Sequence, residues 1–415
     1  MNKTIDTVQL SKDVAISKED RFRNIVLLGP PSSRKREDVM LPMIRQDIQN
    51  RPDAGIVIFD TDGALTGPAV KMAQMVGRPY LLLDPTAENC PFFNPLAGDE
   101  DDVIHDLLTV FEDMMADLPP YIRVLNGTVL SNAIKVLKRL DREDGLDGKN
   151  ATLRAADIIL RNPNQDGRRL IQRFAQLKSE SEAECKENAE IARWFLTEYY
   201  AERSKTYENA AYMRAQVSEI ANDRYLGNIL NPDVNKGNLV VEDLLGQRFV
   251  LCVSTAKQLL GELSRWFGAL MMLKYQQAAF CLDYDEPAHP DQFMYADEFQ
   301  EFILPDVSNL IIFGYQIRVA STVSFQSWAQ IDRGGRAYKQ LRIVLMGNLR
   351  NTLLFSGISK NDANYYADMF SIMSRKDFDK VASEILSLPV GSFVHQCLQN
   401  SKVQQYGISK ADLNN

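Results

Sequence analysis

Residues 24–44 read NIVLLGPPSSRKREDVMLPMI. The opening run, NIVLLG (24–29), is unbroken apolar sequence ending in glycine, the pattern of a strand buried on both faces of a parallel sheet. Residues 36–50 then carry Val39, Met40, Met43, Ile44 and Ile48 at helical spacing, with Pro42 marking a bend or an early turn. The turn between them, GPPSSRKR (29–36), has the length of the phosphate-binding pattern G-x-x-x-x-G-K-[ST]. In such a loop the glycines let successive backbone N–H groups converge on phosphate oxygens at a helix N-terminus. The lysine neutralises the terminal phosphates and the hydroxyl helps hold Mg²⁺. Gly29 opens the motif and Lys35 takes the lysine position, but Arg34 replaces the second glycine and Arg36 the hydroxyl. Gly29, Pro30, Pro31, Ser32, Ser33, Arg34, Lys35 and Arg36 are the candidate nucleotide-contacting residues of this loop. A side chain at 34 obstructs the cradle, or strains it where the backbone needs φ > 0. Arg36 cannot coordinate a cation.

Working outward, GIVIFD (55–60) and RPYLLLDP (78–85) read as further strands, with a helix over 65–76 between them. Strands alternating with helices predict a parallel α/β sheet. Beyond residue 100 the texture changes to charged, helix-forming sequence without strand-like runs, and its mixed-sign charge reads as solvated helix faces. Strand character returns at QRFVLCVST (247–255), QFMYADEFQEF (292–302), IRVASTVSFQS (317–327) and NTLLFSGI (351–358), with a helix over 258–280. The expected layout is a flexible N-terminal segment (1–20), a discontinuous sheet domain (21–100 and 230–400), an inserted all-α domain (101–229) and a flexible tail (401–415).

Composition narrows the function. The chain has 415 residues, 45% hydrophobic and 25% charged, which is ordinary globular composition for two or more domains. A net charge of −8 excludes generic polyanion binding by the whole molecule, so contact with nucleic acid would require a local basic surface. Cys90, Cys185, Cys252, Cys281 and Cys397 lack metal spacing and read as buried, reduced thiols of a cytosolic protein. His105, His289 and His395 are far apart and suggest no histidine-based metal site. No apolar run approaches the roughly 20 residues that span a bilayer.

Five more residues lie at strand ends, where open parallel sheets place their ligand crevice. In FMYADEFQ the strand ends in Asp297 and Glu298. In phosphate-loop enzymes such an Asp orients the Mg²⁺ shell, here through water, and the next Glu activates water for in-line attack. Taken alone, a strand running into an acidic helix start is the commoner origin of such a pair. Gln326 ends another strand and has the amide to sense a terminal phosphate, with Gln330 one turn on. Asp60 and Asp84 also end strands, although each in isolation reads as a turn residue.

These segments, with LLLDPTAENCPFFNPL and LMGNLRNTLLFSGISKNDANYYADMF, occur in the order and spacing of a known family. Over roughly residues 20–375 the sequence resembles the cytoplasmic ATPase of type IV secretion coupling proteins, the conjugative relatives of FtsK and HerA motors. The resemblance implies a RecA-like P-loop NTPase sheet domain interrupted by an all-α domain. It also implies ATP and Mg²⁺ as cofactors and hexameric assembly. The implied partners are a relaxase–DNA complex (the relaxosome), single-stranded DNA, and the secretion channel or a membrane-anchoring protein. Location would be cytoplasmic, at the inner face of the cell membrane through partners. By the same resemblance Lys35 contacts the phosphates, Asp297 supports Mg²⁺, Glu298 activates water and Gln326 reports nucleotide state; Asp60, from its place at a strand end, is a further candidate nucleotide contact.

The departures from the family are as informative. Besides Arg34 and Arg36, the family's D-P-K-G at the second strand becomes Asp60-Thr61-Asp62-Gly63, a basic residue turned acidic. The arginine expected shortly before the IRV strand is missing from IIFGYQ, leaving Arg318 as a doubtful stand-in. Altered catalytic features on an intact scaffold imply weak or absent hydrolysis. The alternatives are a fully active DNA-translocating motor and a non-catalytic scaffold or receptor unrelated to DNA transport.

Overall fold

The structure is a computed structural model and describes residues 6–145, 150–178, 181–231, 238–282, 289–332, 335–399, 402–403 and 407–411. The chain packs as two compact units, one formed by Met1–Asp84 with Val241–Asn415 and the other by Pro85–Val240.

The strands are β1 (Thr7–Gln9), β2 (Ala15–Ser17), β3 (Ile25–Leu28), β4 (Gly55–Asp60), β5 (Tyr80–Leu83), β6 (Val250–Ser254), β7 (Gln292–Ala296), β8 (Val319–Phe325), β9 (Asn351–Phe355), β10 (Ser392–Gln396), β11 (Leu398–Gln399), β12 (Lys402–Val403) and β13 (Gly407–Lys410). Nine of them form one sheet in the order β13-β10-β9-β3-β8-β7-β4-β6-β5. From β9 to β5 every neighbouring pair is parallel, while β10 and β13 close the other edge antiparallel. Central strands β3, β4, β6, β7, β8 and β9 are buried at every position, as strands covered on both faces must be. Register aligns Leu28 with Phe325, Val323 with Ala296, and Ala296 with Phe59. The C-terminal ends of β3, β8, β7 and β4 therefore form one crest.

The helix after β3 begins with a wide π turn, Arg36–Met40, and continues as an α-helix over Leu41–Asn50. Pro42 has no N–H to give the Asp38 carbonyl, so the regular ladder cannot cross this point; the wide turn lies just before it. Val39, Met40, Met43, Ile44 and Ile48 are all buried against the sheet core.

Both chain ends depart from expectation. The segment expected to be flexible over 1–20 contains the β1–β2 hairpin, with Val8 and Ile16 paired and Val8, Leu10, Val14 and Ile16 buried. The tail expected to be loose over 401–415 supplies β13, whose Ile408 pairs with Val394 of β10. The division between units also falls elsewhere: residues 85–100, expected with the sheet, belong to the helical unit. There Phe93 N–H donates to Ile229 O at 2.9 Å and Leu239 N–H to Phe92 O at 2.8 Å.

No strand occurs among the described residues of the helical unit. Its helices include Glu100–Met114, Pro120–Glu143, Leu153–Arg161, Asp166–Phe174, Glu182–Trp194 and Ala211–Asn222. Asp99, Thr152 and Ser181 cap three of them by accepting hydrogen bonds from first-turn N–H groups. None of the five cysteines is in a disulfide; Cys252 and Cys397 are buried, whereas Cys185 and Cys281 are exposed rather than buried as expected.

A buried ionic network binds the loop helix to the sheet. Arg21 grips Asp47 through two bonds of 2.8 and 2.7 Å, and Asp47 also accepts from Tyr295 on β7 at 2.6 Å and from Arg51 at 3.2 Å. Arg21 lies 4.0 Å from the centre of the Phe293 ring. Asp47→Ala would leave two buried guanidinium groups without their counter-ion, a change that costs about 3–5 kcal/mol. Denaturant unfolding followed by tryptophan fluorescence should show a loss of that size, and a loss below about 1 kcal/mol would contradict the assignment.

Candidate functional site

Gly29 follows β3 and donates its N–H to Phe325 O at 3.1 Å. Only glycine fits there: an added Cβ would lie 2.8 Å from Phe355 Cβ and 2.8 Å from Ser33 Oγ. A short 3₁₀ turn, Pro31–Ser33, leads to Arg34 at φ 65°, ψ 19°, and Lys35 re-enters helical geometry. The loop thus demands a left-handed residue at the position where the motif has its second glycine, and Arg34 occupies it at a steric cost.

Arg34 does not plug the cradle. Its side chain is exposed and turns along the helix to Asp38, with Nε and Nη2 donating at 2.9 and 2.8 Å. Pro31 and Ser32 are exposed, Pro30 is half-buried and Ser33 is buried with an Oγ that has no hydrogen-bond partner. Lys35 is 3% exposed and makes no hydrogen bond or ion pair among the described residues. The residue is buried, but its Nζ is not among the side-chain atoms cut off from solvent, so its charge is open to an incoming anion.

Arg36 reaches across the crest. Nε donates to Asp297 Oδ2 at 2.5 Å, and Nη1 donates to Asp62 Oδ2 at 3.0 Å and Oδ1 at 3.3 Å. Burial pulls its pKa down, but the charges of Asp297 and Asp62 outweigh that and raise it. Asp297 is fully buried, and its second oxygen accepts from Ser324 Oγ on β8. Both carboxylate oxygens are thereby engaged. The Mg²⁺ role expected of Asp297 does not fit this arrangement, because an ion reaching either oxygen would have to displace Arg36 or Ser324. Among the described residues no cluster of three or more His, Cys, Asp or Glu is placed to hold a metal ion.

Glu298 adopts φ 53°, ψ 48°, a left-handed backbone of the kind found where strain serves a site. Its oxygens accept from Gln326 Nε2 at 3.2 Å and from Gln300 Nε2 at 2.6 Å. The structure therefore brings Arg36, Asp297, Glu298 and Gln326 together, beside the loop that carries Lys35.

Other expected residues lie outside this cluster. Asp60 serves the following turn with one oxygen, Oδ2, accepting from Leu65 N–H at 2.7 Å and Thr66 N–H at 3.1 Å. Burial pushes its pKa up to about 6, against those N–H groups and with help from Asp62. For Asp62 burial is outweighed by Ala64 N–H, the Asp60 contact and Arg36, and its pKa falls. Gln330 caps its own turn, accepting from Gln326 N–H at 2.9 Å. Arg318 lies at the start of β8, the end opposite the crest, where it pairs with Asp291 at 2.8 Å and with Glu19.

Two site residues escaped the sequence reading. Ser324 is the penultimate residue of β8 and belongs to no motif in the sequence. Asp62 did: it was noted as a lost basic residue, yet its gain of negative charge matches the gain of positive charge at Arg36. The two departures from the family pattern are one ion pair.

The sequence matches no protein-family model and no curated protein. Among solved structures, the fold is similar to the plasmid coupling protein TrwB in complex with the non-hydrolysable GTP analogue GDPNP. That match has TM-score 0.69 and 14% identity and covers 100% of this chain and 91% of that one. TrwB in complex with ADP and Mg²⁺ gives TM-score 0.67 at 14% identity over 100% and 91%. VirB4 of Thermoanaerobacter pseudethanolicus gives TM-score 0.58 at 12% identity over 99% and 97%. At such identities the likeness is one of fold.

Asp60 yields a pH test. Its folded pKa, about 6, exceeds the ordinary 3.8, so the folded chain holds that proton more tightly. Its contribution to stability is complete below pH 3.8 and is lost as pH rises through about 6. At about 1.4 kcal/mol per unit the whole change is about 3 kcal/mol. Relative to wild type, Asp60→Asn should gain that much stability between pH 4 and pH 7, as measured by denaturant titration. A stability difference that stays flat across the window would contradict the assignment.

Proposed function

We propose that this chain is the cytoplasmic coupling protein of a conjugative type IV secretion system, with a nucleotide site that binds and scarcely turns over. It docks a relaxase carrying single-stranded DNA and presents it to the secretion channel. In its working state it is a hexamer held at the inner membrane face through partners. The fold shared with TrwB and VirB4 supports the class. The observation that carries the chemical reading is the Arg36–Asp297 pair at the crest, beside a Lys35 that has no partner among the described residues.

Phosphoryl transfer depends almost wholly on positioning and electrostatic stabilisation. Lys35 remains suited to a nucleoside triphosphate, although the Gly29 and Ser33 N–H groups are already engaged and Pro30 and Pro31 have none to give. Arg36 has removed the hydroxyl and engaged Asp297, so ground-state binding survives while transition-state support is lost. Glu298, positioned by Gln326 and Gln300 and paired with no cation, favours a second reading in which slow hydrolysis persists.

Phosphate release with single-stranded DNA present separates these readings. Wild type should turn over at least about 100-fold more slowly than an Arg34→Gly, Arg36→Thr, Asp62→Lys revertant, the scale of losing one transition-state contact. Glu298→Gln should abolish the revertant's activity. Wild-type turnover of order 1 s⁻¹ or faster, an ordinary enzyme rate, would establish the active motor instead. Loss of analogue binding in Lys35→Ala, read by thermal shift, checks the site independently of turnover.

A further inference from the structure

In phosphate-loop proteins a divalent ion normally bridges the loop, the strand-end carboxylate and the phosphates. Here a guanidinium touches the strand-end carboxylate that ion would serve, and Asp62 beside it. Nε is committed to Asp297 and Nη1 to Asp62, while Nη2 makes no hydrogen bond among the described residues. A guanidinium carries five N–H donors, so Nη2 retains two for an incoming oxygen. The side chain is 21% exposed, and the Asp297 carboxylate behind it is fully buried. Lys35, buried and unpartnered, supplies a second cation from the same loop, and the buried Ser33 hydroxyl is also unspent.

Mg²⁺ is poorly suited to enter. It requires near-octahedral oxygen coordination at about 2.0–2.1 Å. The loop hydroxyl is absent, both Asp297 oxygens are occupied, and the ion would meet the positive charge of Arg36. Entry would mean expelling a guanidinium from two carboxylates, one of them without access to water.

We propose that Arg36 is a tethered replacement for Mg²⁺, so that this site binds nucleoside triphosphate without a divalent ion. The proposal rests on the nucleotide-site reading above and adds its metal independence. Arg36 fixes the two carboxylates and offers Nη2 to a phosphate oxygen, and Lys35 neutralises the neighbouring charge. The exchange at position 62 belongs to the same device: a lysine there would repel the guanidinium, whereas Asp62 anchors it.

Calorimetric titration of the full chain with adenosine 5′-(β,γ-imido)triphosphate, in excess EDTA and in excess Mg²⁺, tests this. The wild-type dissociation constant should differ by less than about fivefold between the two buffers. Arg36→Thr should bind more than about tenfold tighter with Mg²⁺ than with EDTA. A wild-type affinity that rises more than about fivefold with Mg²⁺ overturns the replacement and leaves the nucleotide site standing. Absence of binding in both buffers, with no thermal shift from the analogue, overturns both together. The wild-type comparison decides the matter even if Arg36→Thr fails to fold.

Discussion

The Arg36 guanidinium is held between Asp297 and Asp62, and the rest of the site arranges itself around that contact. It neutralises a carboxylate that is cut off from water at a strand end. It joins the loop after β3 to the ends of β7 and β4. It also decides which chemistry is open, since a carboxylate already hydrogen-bonded at both oxygens has little left to offer a metal ion. A buried carboxylate without such a partner would carry a desolvation penalty of several kcal/mol, so the arginine is as much a structural requirement as a functional one.

That contact is possible only because the sheet brings four strand ends to one crest. β3, β8, β7 and β4 are consecutive neighbours in the sheet although they are dispersed along the chain. Parallel register places their C-terminal residues level, and the buried Arg21–Asp47–Tyr295 network locks the loop helix against β7. Apolar strands supply the rigidity; a few ionic contacts choose the alignment of the loop above them.

Much of this was legible in sequence. The mainly apolar runs of β3, β4, β7, β8 and β9 announce themselves, because strands covered on both faces are predominantly hydrophobic. Lys35 stands out by its place in the loop motif, and Asp297, Glu298 and Gln326 by their places at strand ends. The β1–β2 hairpin and β13 did not: they are short and polar, and they gain stability only by docking on an edge or a core that already exists. Residues 85–100 carry no periodic pattern that assigns them to either unit. A strand-end carboxylate such as Asp60 and a turn-forming carboxylate look alike in sequence until backbone N–H groups are placed. The left-handed backbone at Arg34 matched the loop's need for glycine, but the escape of its side chain to Asp38 depended on three-dimensional packing. Arg36 was noticed as the loss of a hydroxyl, and its meaning emerged only when Asp62 was found opposite it.

Anomalous diffraction at the manganese edge, from crystals grown with the imido-triphosphate analogue and Mn²⁺, tests the central claim most directly. The account predicts nucleotide density at the loop, no anomalous peak within coordinating distance of Asp297, and Arg36 still bridging Asp297 and Asp62. A manganese peak on Asp297, with the Arg36 side chain swung away, would contradict it.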